Sequence, residues 1–185
     1  MIKNVIRSLE EGMGNNEHFH KVEDVYNLML HVAPEIDKIM VSEEEIPYGR
    51  YIVHEDPQGR FNIQIHAYTM DYEGKIHDHR TWGIMWILRG GLFFRDYVRH
   101  NEETTLMGGK YLSLKSSHCF CPPASDWHQS KSPKEGLQPV SLHVYGKDYD
   151  LDVGGVLDDA LAPVRQNRGT PRDLSILKVL GEDFQ

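Results

Sequence analysis

Ile76-His77-Asp78-His79-Arg80-Thr81-Trp82-Gly83-Ile84-Met85-Trp86-Ile87-Leu88-Arg89-Gly90-Gly91 is the stretch that decides the reading of this chain. Residues 83–88 form a nearly continuous apolar run, and Arg89-Gly90-Gly91 ends it, so the run reads as a buried strand followed by a turn. Phe93-Phe94-Arg95-Asp96-Tyr97-Val98 follows directly and predicts a hairpin. Just upstream, His77 and His79 stand two residues apart. On a strand, positions i and i+2 face the same side, so both imidazoles can point at one ion. A His-x-His pair alone is a weak signal. It gains weight from Pro122-Pro123-Ala124-Ser125-Asp126-Trp127-His128, a proline-broken loop that delivers a third histidine from a later strand.

Outward from this centre, the chain divides into three parts. Residues 1 to about 45 read as helical. Val5, Ile6 and Leu9 recur at helical spacing, with Gly12 and Gly14 ending the segment. Val22, Val25, Tyr26, Met29, Leu30 and Val32 continue the pattern, and Pro34 is expected to open a third helix through Met40. Residues 46 to about 150 read as strands. Phe61-Asn62-Ile63-Gln64-Ile65-His66-Ala67 alternates strictly, as a half-buried strand should, and Ser141-Leu142-His143-Val144-Tyr145 is the last clear strand. Gly108-Gly109, Pro122-Pro123, Pro133 and Gly136 punctuate the segments between them. Many short strands with regular turns predict an antiparallel sandwich or barrel. Residues 151–185 form a tail. In it Thr170-Pro171-Arg172-Asp173 reads as an N-cap with proline at the first helical position, and a short closing helix is expected over 174–180.

Composition bounds the function. The 185 residues suit one domain with a core of its own. A net charge of −8 and a pI near 5.7 argue against nucleic acid or an acidic membrane surface as the main partner. No run of 18 apolar residues suggests a transmembrane helix, and the first residues lack the apolar core of a signal peptide, so a cytoplasmic location is expected. The two cysteines, Cys119 and Cys121, are one residue apart and cannot build a disulfide framework. They read as small buried hydrophobes in a reducing compartment. Histidine is abundant at 11 residues. His18, His20, His31, His54, His66, His100 and His118 show no partner pattern and read as background. Trp82, Trp86 and Trp127 lie beside the ligand segments and are expected to wall the site.

The two histidine segments resemble the paired motifs of the cupins, small double-stranded β-helix (jelly-roll) barrels. The glycine after His-x-His matches at Gly90 or Gly91. Pro123-Ala124-Ser125-Asp126-Trp127-His128 matches the second motif with serine in place of glycine. The resemblance implies a mainly β cupin fold carrying N-terminal helices and a short C-terminal helix. Where cupins usually place a glutamate ligand, this chain has Gly83 and Ile84. Within the cupins, a three-histidine set resembles the thiol dioxygenases, which act on cysteine or 3-mercaptopropionate. That likeness implies ferrous iron on His77, His79 and His128, and conversion of a small thiol to a sulfinate with O₂. Ser141-Leu142-His143-Val144-Tyr145 is similar to the family's Ser-x-His-x-Tyr strand and implies a relay ending at Tyr145. Period-2 spacing puts the three side chains on one face. Tyr48-Gly49-Arg50 resembles a Tyr-x-Arg segment, which implies Arg50 and Tyr48 as binders of the substrate carboxylate and tilts the substrate towards L-cysteine. Ile84 stands where the mammalian enzyme has its cross-linking cysteine, so no thioether forms there. Two alternatives stay open: a dioxygenase of 3-mercaptopropionate or another small thiol acid, and a non-catalytic metal-binding cupin.

Overall fold

The computed structural model describes residues 1–79, 81–100, 103–121 and 127–146. Two helices come first, α1 (Ile2–Met13) and α2 (Val22–Ile36). Among the described residues eight strands follow: β1 (Gly49–Glu55), β2 (Phe61–Ala67), β3 (Gly83–Arg89), β4 (Gly91–His100), β5 (Glu103–Ser113), β6 (Ser117–Phe120), β7 (His128–Lys131) and β8 (Val140–Gly146). They build one antiparallel sheet in the order β1-β2-β8-β3-β6 and a second in the order β5-β4-β7. The expected fold class is the one observed, mainly β, with two antiparallel sheets of jelly-roll type behind N-terminal helices. The expected closing helix over 174–180, the tail from 151, Arg80 and the loop at 122–126 lie outside the described residues.

The helices form because their apolar residues repeat at three and four. Ile2, Val5, Leu9 and Met13 bury one face of α1, and Val25, Leu28, Met29, Val32 and Ile36 bury one face of α2. Two expected boundaries move. Gly12 lies inside α1, where a Cβ would press on Leu28 and His31 of α2, so it serves close helix packing. Gly14, at φ 54°, ends the helix instead. Pro34 does not open a third helix. It sits in the last turn of α2, where only one backbone bond is lost, and α2 closes with Asp37 N–H donating to Ala33. Arg60, the last residue of the β1–β2 connection, ties helix to sheet. Its guanidinium donates to both carboxylate oxygens of Asp56 and to the Gly14 carbonyl.

The central strands of the five-stranded sheet, β2, β8 and β3, are buried on both faces. The sheet's outer face packs Phe61, Ile63, Ile65, Ala67, Ile84, Trp86, Leu88, Val140, Leu142 and Val144 against the helices in one apolar core. Its inner face carries the opposite parity: Asn62, Gln64 and His66 on β2, Met85 and Ile87 on β3, Ser141, His143 and Tyr145 on β8. This corrects the reading of β2 as half-exposed. Its polar residues alternate as expected, yet they turn into the sandwich and not to solvent, and six of its seven residues are buried.

The apolar run at 83–88 is the buried strand β3, and all seven residues of that strand are buried. The hairpin expected with the following strand does not form. β3 belongs to one sheet and β4 to the other; β4 pairs with β5 and β7. The chain crosses between sheets at Gly90, which has φ 64° and whose Cβ would press on the Leu137 carbonyl oxygen. Only glycine adopts that turn in that space without strain. Gly108-Gly109 likewise does not break a segment but lies within β5, next to a register shift opposite Asp96 and Tyr97.

Candidate metal centre

Strand register sets the inner face in rows. Residues directly opposite on antiparallel neighbours present side chains to the same side. Arg50 pairs with His66, and His66 pairs with Ser141. Gln64 pairs with His143, which pairs with Met85, which pairs with His118. Asn62 pairs with Tyr145, Tyr145 with Gly83, and Gly83 with Phe120. Each row delivers polar groups from β2 and β8 towards the mouth where the histidine segments arrive. A small cavity there, about 30 Å³, is lined by Arg50, His66, Tyr68, Tyr72, His77, His79, Met85, Phe94, His118, Phe120, His128, His143 and Tyr145, among others.

The three expected ligands do converge. One nitrogen of each of His77, His79 and His128 lies within 4.8 Å of the others, and among the described residues no carboxylate or thiol joins them. The ring centroids make a near-equilateral triangle of 4.9, 4.5 and 4.7 Å. The local cause differs from the expectation. His77 and His79 are not on a strand. They lie on irregular chain before β3, and His77 forms an isolated bridge with His128. His77 N–H donates to the His128 carbonyl at 3.0 Å, and His128 N–H returns to the His77 carbonyl at 2.9 Å. Two backbone bonds therefore fix His77 against His128, and the i, i+2 pair still brings both rings together, 4.9 Å apart.

The donor set fits a divalent transition metal. His77 Nδ1 donates to the Lys75 carbonyl at 2.8 Å, which leaves Nε2 bare for a metal and locks the ring. His79 stacks on Phe120 at 4.7 Å with 15° between planes, and His128 stacks on Phe94 at 4.8 Å with 17°. Burial is the main cause that holds the His77 and His79 pKa values below the ordinary imidazole range. For His79, repulsion from His128 and His77 adds to it. Both shifts favour the neutral ring, the form that ligates. Three neutral imidazoles could hold a metal and leave its double charge uncompensated and part of its coordination sphere open. The space a glutamate would need is taken: a Cβ at Gly83 would overlap the Phe120 ring. Ile84 points to the opposite face and is fully buried in the helix-side core.

Beside the triad, the Ser141-His143-Tyr145 series is hydrogen-bonded as its spacing suggested. Ser141 Oγ and His143 Nε2 are 2.7 Å apart, and the Tyr145 hydroxyl and His143 Nδ1 are 2.8 Å apart. The same hydroxyl lies 3.4 Å from His79 Nε2. Tyr145 is 1% exposed, so its oxygen is held among polar partners inside the protein. Burial, and then the positive charge of Arg50, keeps His143 well below the usual imidazole range. Arg50 reaches the cavity wall from β1. Tyr48 does not line the cavity. It stands one ring behind, 5.7 Å from Tyr72, and burial with the Tyr72 phenol pushes its own pKa up to about 12.

The tryptophans correct the expectation. Trp86 is on the outer face of β3 and donates to Asp37 at the end of α2 at 3.3 Å. Trp82 packs edge-on against Phe19 at 5.1 Å. Trp127 lies under the Arg99 guanidinium at 5.0 Å. Phe94, Phe120, Met85 and Tyr72 wall the cavity instead. Two histidines read as background also line it. His66 stacks on His143 at 3.8 Å, and His118 meets Lys110 Nζ at 3.1 Å, with burial and that lysine pushing its pKa down to about 4. The signal that finds His66 is parity: it shares its face with Gln64 and Asn62 on β2.

No protein-family model matches the sequence. Among solved structures the chain is similar to an RmlC-like cupin from Shewanella frigidimarina NCIMB 400, at 14% identity and a TM-score of 0.43 over 62% of this chain and 88% of that one. It is similar to KdgF from Halomonas sp. at 15% identity and a TM-score of 0.40, over 53% and 79%. It is also similar to the hydroquinone 1,2-dioxygenase PnpCD, solved with Cd²⁺ and 4-hydroxybenzonitrile, at 13% identity and a TM-score of 0.42, over 62% and 71%.

Proposed function

We propose that this chain is an iron(II)-dependent thiol dioxygenase of cupin type that oxidises L-cysteine to cysteine sulfinate with O₂. The observation that carries the reading is the conjunction in one cavity of a histidine triad that no carboxylate joins among the described residues, a buried Tyr145-His143 hydrogen bond at its edge, and Arg50 on the wall. His77, His79 and His128 are the residues that would hold the iron. Bound there, ferrous iron supplies the Lewis acidity that ionises a thiol and the redox chemistry that joins it to O₂. The overall reaction balances without a further reductant, because both atoms of O₂ end on the sulfur of the thiol.

The chain's own groups do the rest. Three neutral ligands leave room for the anionic charge of a thiolate, which a carboxylate ligand would oppose. Arg50 offers a fork of donors matched to a carboxylate and would hold the substrate's acid group across the cavity from the triad. Fixing that end restricts where sulfur can sit, which lowers the entropic part of the barrier. Tyr145 presents its oxygen beside His79, and His143 and Ser141 hold that phenol in one orientation. Phe94, Phe120 and Met85 add apolar surface to the cavity lining, and the two phenylalanines back the triad rings. Small thiol, O₂ and iron are the partners of this reading. It calls for no nucleic acid or membrane, and a cytoplasmic setting would keep the thiol reduced.

The test is O₂ uptake by iron-loaded protein with cysteine, compared with 3-mercaptopropionate and with cysteamine, which lacks the carboxylate. Sulfinate formed from cysteine in step with O₂ consumed supports the reading. Preference for mercaptopropionate moves it to the sister substrate, and metal binding without any thiol-dependent uptake leaves a non-catalytic metal-binding protein.

A further inference from the structure

The hydrogen bonds on the inner face do not stop at Ser141. Ser141 Oγ donates to the Tyr68 hydroxyl at 3.4 Å. The Tyr68 hydroxyl meets His66 Nδ1 at 3.5 Å, His66 Nε2 meets Gln64 Oε1 at 3.0 Å, and Gln64 Nε2 donates to Asn62 Oδ1 at 2.9 Å. Register explains the route. Tyr145, His143 and Ser141 on β8 stand opposite Asn62, Gln64 and His66 on β2. The chain of bonds therefore climbs β8, crosses at Tyr68 and descends β2. Gln64, His66 and Tyr68 are all buried.

Donor and acceptor capacities give this chain one direction. The amide nitrogen of Gln64 is committed to Asn62, so its oxygen faces His66, and a carbonyl oxygen only accepts. His66 Nε2 must then carry the hydrogen, and His66 Nδ1 is bare. Tyr68 donates to that bare nitrogen, so the Tyr68 oxygen accepts from Ser141. With its only hydrogen spent on Tyr68, Ser141 accepts from His143 Nε2–H. His143 Nδ1 is then bare and takes the hydrogen of Tyr145. Without the amide at the far end, the reverse order satisfies the same groups: His143 would carry its hydrogen on Nδ1, and the Tyr145 hydroxyl would be released to donate into the cavity.

We propose that Gln64 and His66, acting through Tyr68, are positioning residues that hold His143 in its Nε2–H tautomer and thereby aim the Tyr145 hydrogen at His143, leaving the Tyr145 oxygen as an acceptor towards the cavity. For a cysteine substrate, Tyr145 then receives a hydrogen from the substrate and does not donate one to its sulfur. That consequence rests on the function proposed above; the tautomer itself does not.

The experiment is long-range ¹H–¹⁵N correlation of the histidine rings in the full chain, first metal-free and then with zinc, which is diamagnetic. The expected wild-type result is His66 and His143 both protonated at Nε2 and bare at Nδ1. Gln64→Met keeps side-chain volume and removes the accepting oxygen, and Tyr68→Phe cuts the chain at its two longest links, where little stability is at stake. Both should move the His143 hydrogen to Nδ1, although Gln64→Met lies three bridging groups from that nitrogen and a purely structural role would leave the tautomer alone. A wild-type His143 protonated at Nδ1 overturns the proposal, as does an unchanged His143 in a folded Gln64→Met or Tyr68→Phe protein. The zinc arm separates the two readings. If His77, His79 and His128 do not shift on adding zinc, the metal reading fails while the tautomer assignment is judged on its own signals.

Discussion

Phe120 lies flat on His79, with ring centroids 4.7 Å apart and 15° between planes, and its ring fills the space above Gly83. One aromatic side chain thus supports a proposed ligand and fills the position where a carboxylate at residue 83 would enter. Gly83→Ala would drive a methyl group into that ring. The expected cost is about 1–3 kcal/mol of overpacking, read as a fall in Tm of roughly 3–10 °C, together with weaker metal retention because His79 loses its support. Pairing it with Phe120→Leu should recover part of both losses. Additive losses in the double variant would show that the two residues do not act on each other.

Removing a ligand should be worse than disturbing its support. His128→Ala takes away both an imidazole and a ring packed between Phe94 and the other ligands. Metal affinity should fall by more than the roughly 10- to 100-fold typical of losing an outer-shell partner, and thiol-dependent O₂ uptake should fall with it. Metal analysis of freshly purified protein, set beside activity, checks the pair. Full metal content in the variant would exclude His128 from the ligand set.

Acid should destabilise the metal-free protein. Burial lowers the pKa of His66, His77, His79, His118 and His143 in the folded state. An unfolded chain returns them to an imidazole value near 6.5. Below that pH the unfolded state binds more protons than the native state, so stability rises with pH and is lost as pH falls below about 6.5; for His118 the loss continues to about 4. Each such histidine contributes a slope of up to about 1.4 kcal/mol per pH unit inside its window. Urea midpoints measured at pH 7.5, 6 and 5 should drop steadily, and bound zinc should resist the drop. Flat midpoints across that range would mean that these rings are not held neutral.

Much of this was legible in the sequence because two periodicities are simple. The i, i+2 spacing of His77 and His79, and of Ser141, His143 and Tyr145, survives in any extended backbone. The pairing of His77 with His79 beside His128 was therefore legible even though their segment is not a strand. What failed was the assignment of faces. Asn62, Gln64 and His66 alternate with Ile63 and Ile65 as they would on a solvent-facing strand, and nothing local distinguishes a polar face turned to water from one turned to a cavity. The same ambiguity misplaced Trp86, whose neighbours Met85 and Ile87 face inward while it faces α2. The missing β3–β4 hairpin has a similar origin, because Gly90 reads as a turn whether the chain reverses within a sheet or crosses to the other one.

Arg60 should be a stability hinge outside the cavity. It grips both oxygens of the buried Asp56 and holds the Gly14 carbonyl, so it fastens the end of α1 to the β1–β2 connection. The guanidinium is also what keeps the Asp56 carboxyl below its ordinary range. Arg60→Ala leaves that carboxylate with only the backbone N–H of residue 60 among its Arg60 donors, a lesion of about 1–3 kcal/mol. Asp56→Asn with Arg60→Leu should cost less than Arg60→Ala alone. Thermal or urea unfolding of the three proteins decides this, and equal losses would mean that the charge pair is not what carries the effect.

Arg50 is where the choice of substrate should be decided. It sits opposite His66 in the strand register and is the residue through which β1 enters the cavity wall. A guanidinium-carboxylate contact in such a site is worth about 1.5–3 kcal/mol beyond solvation. Arg50→Gln should therefore lower kcat/KM for cysteine by roughly 10- to 150-fold. The same change should leave cysteamine, which has no carboxylate, nearly unaffected, and should narrow the gap between cysteine and 3-mercaptopropionate. The loss should appear mainly in KM if Arg50 only holds the acid group, and in kcat as well if holding it also aligns the sulfur. A uniform loss across all three thiols would contradict the assignment, because it would show Arg50 supporting the cavity without touching the carboxylate.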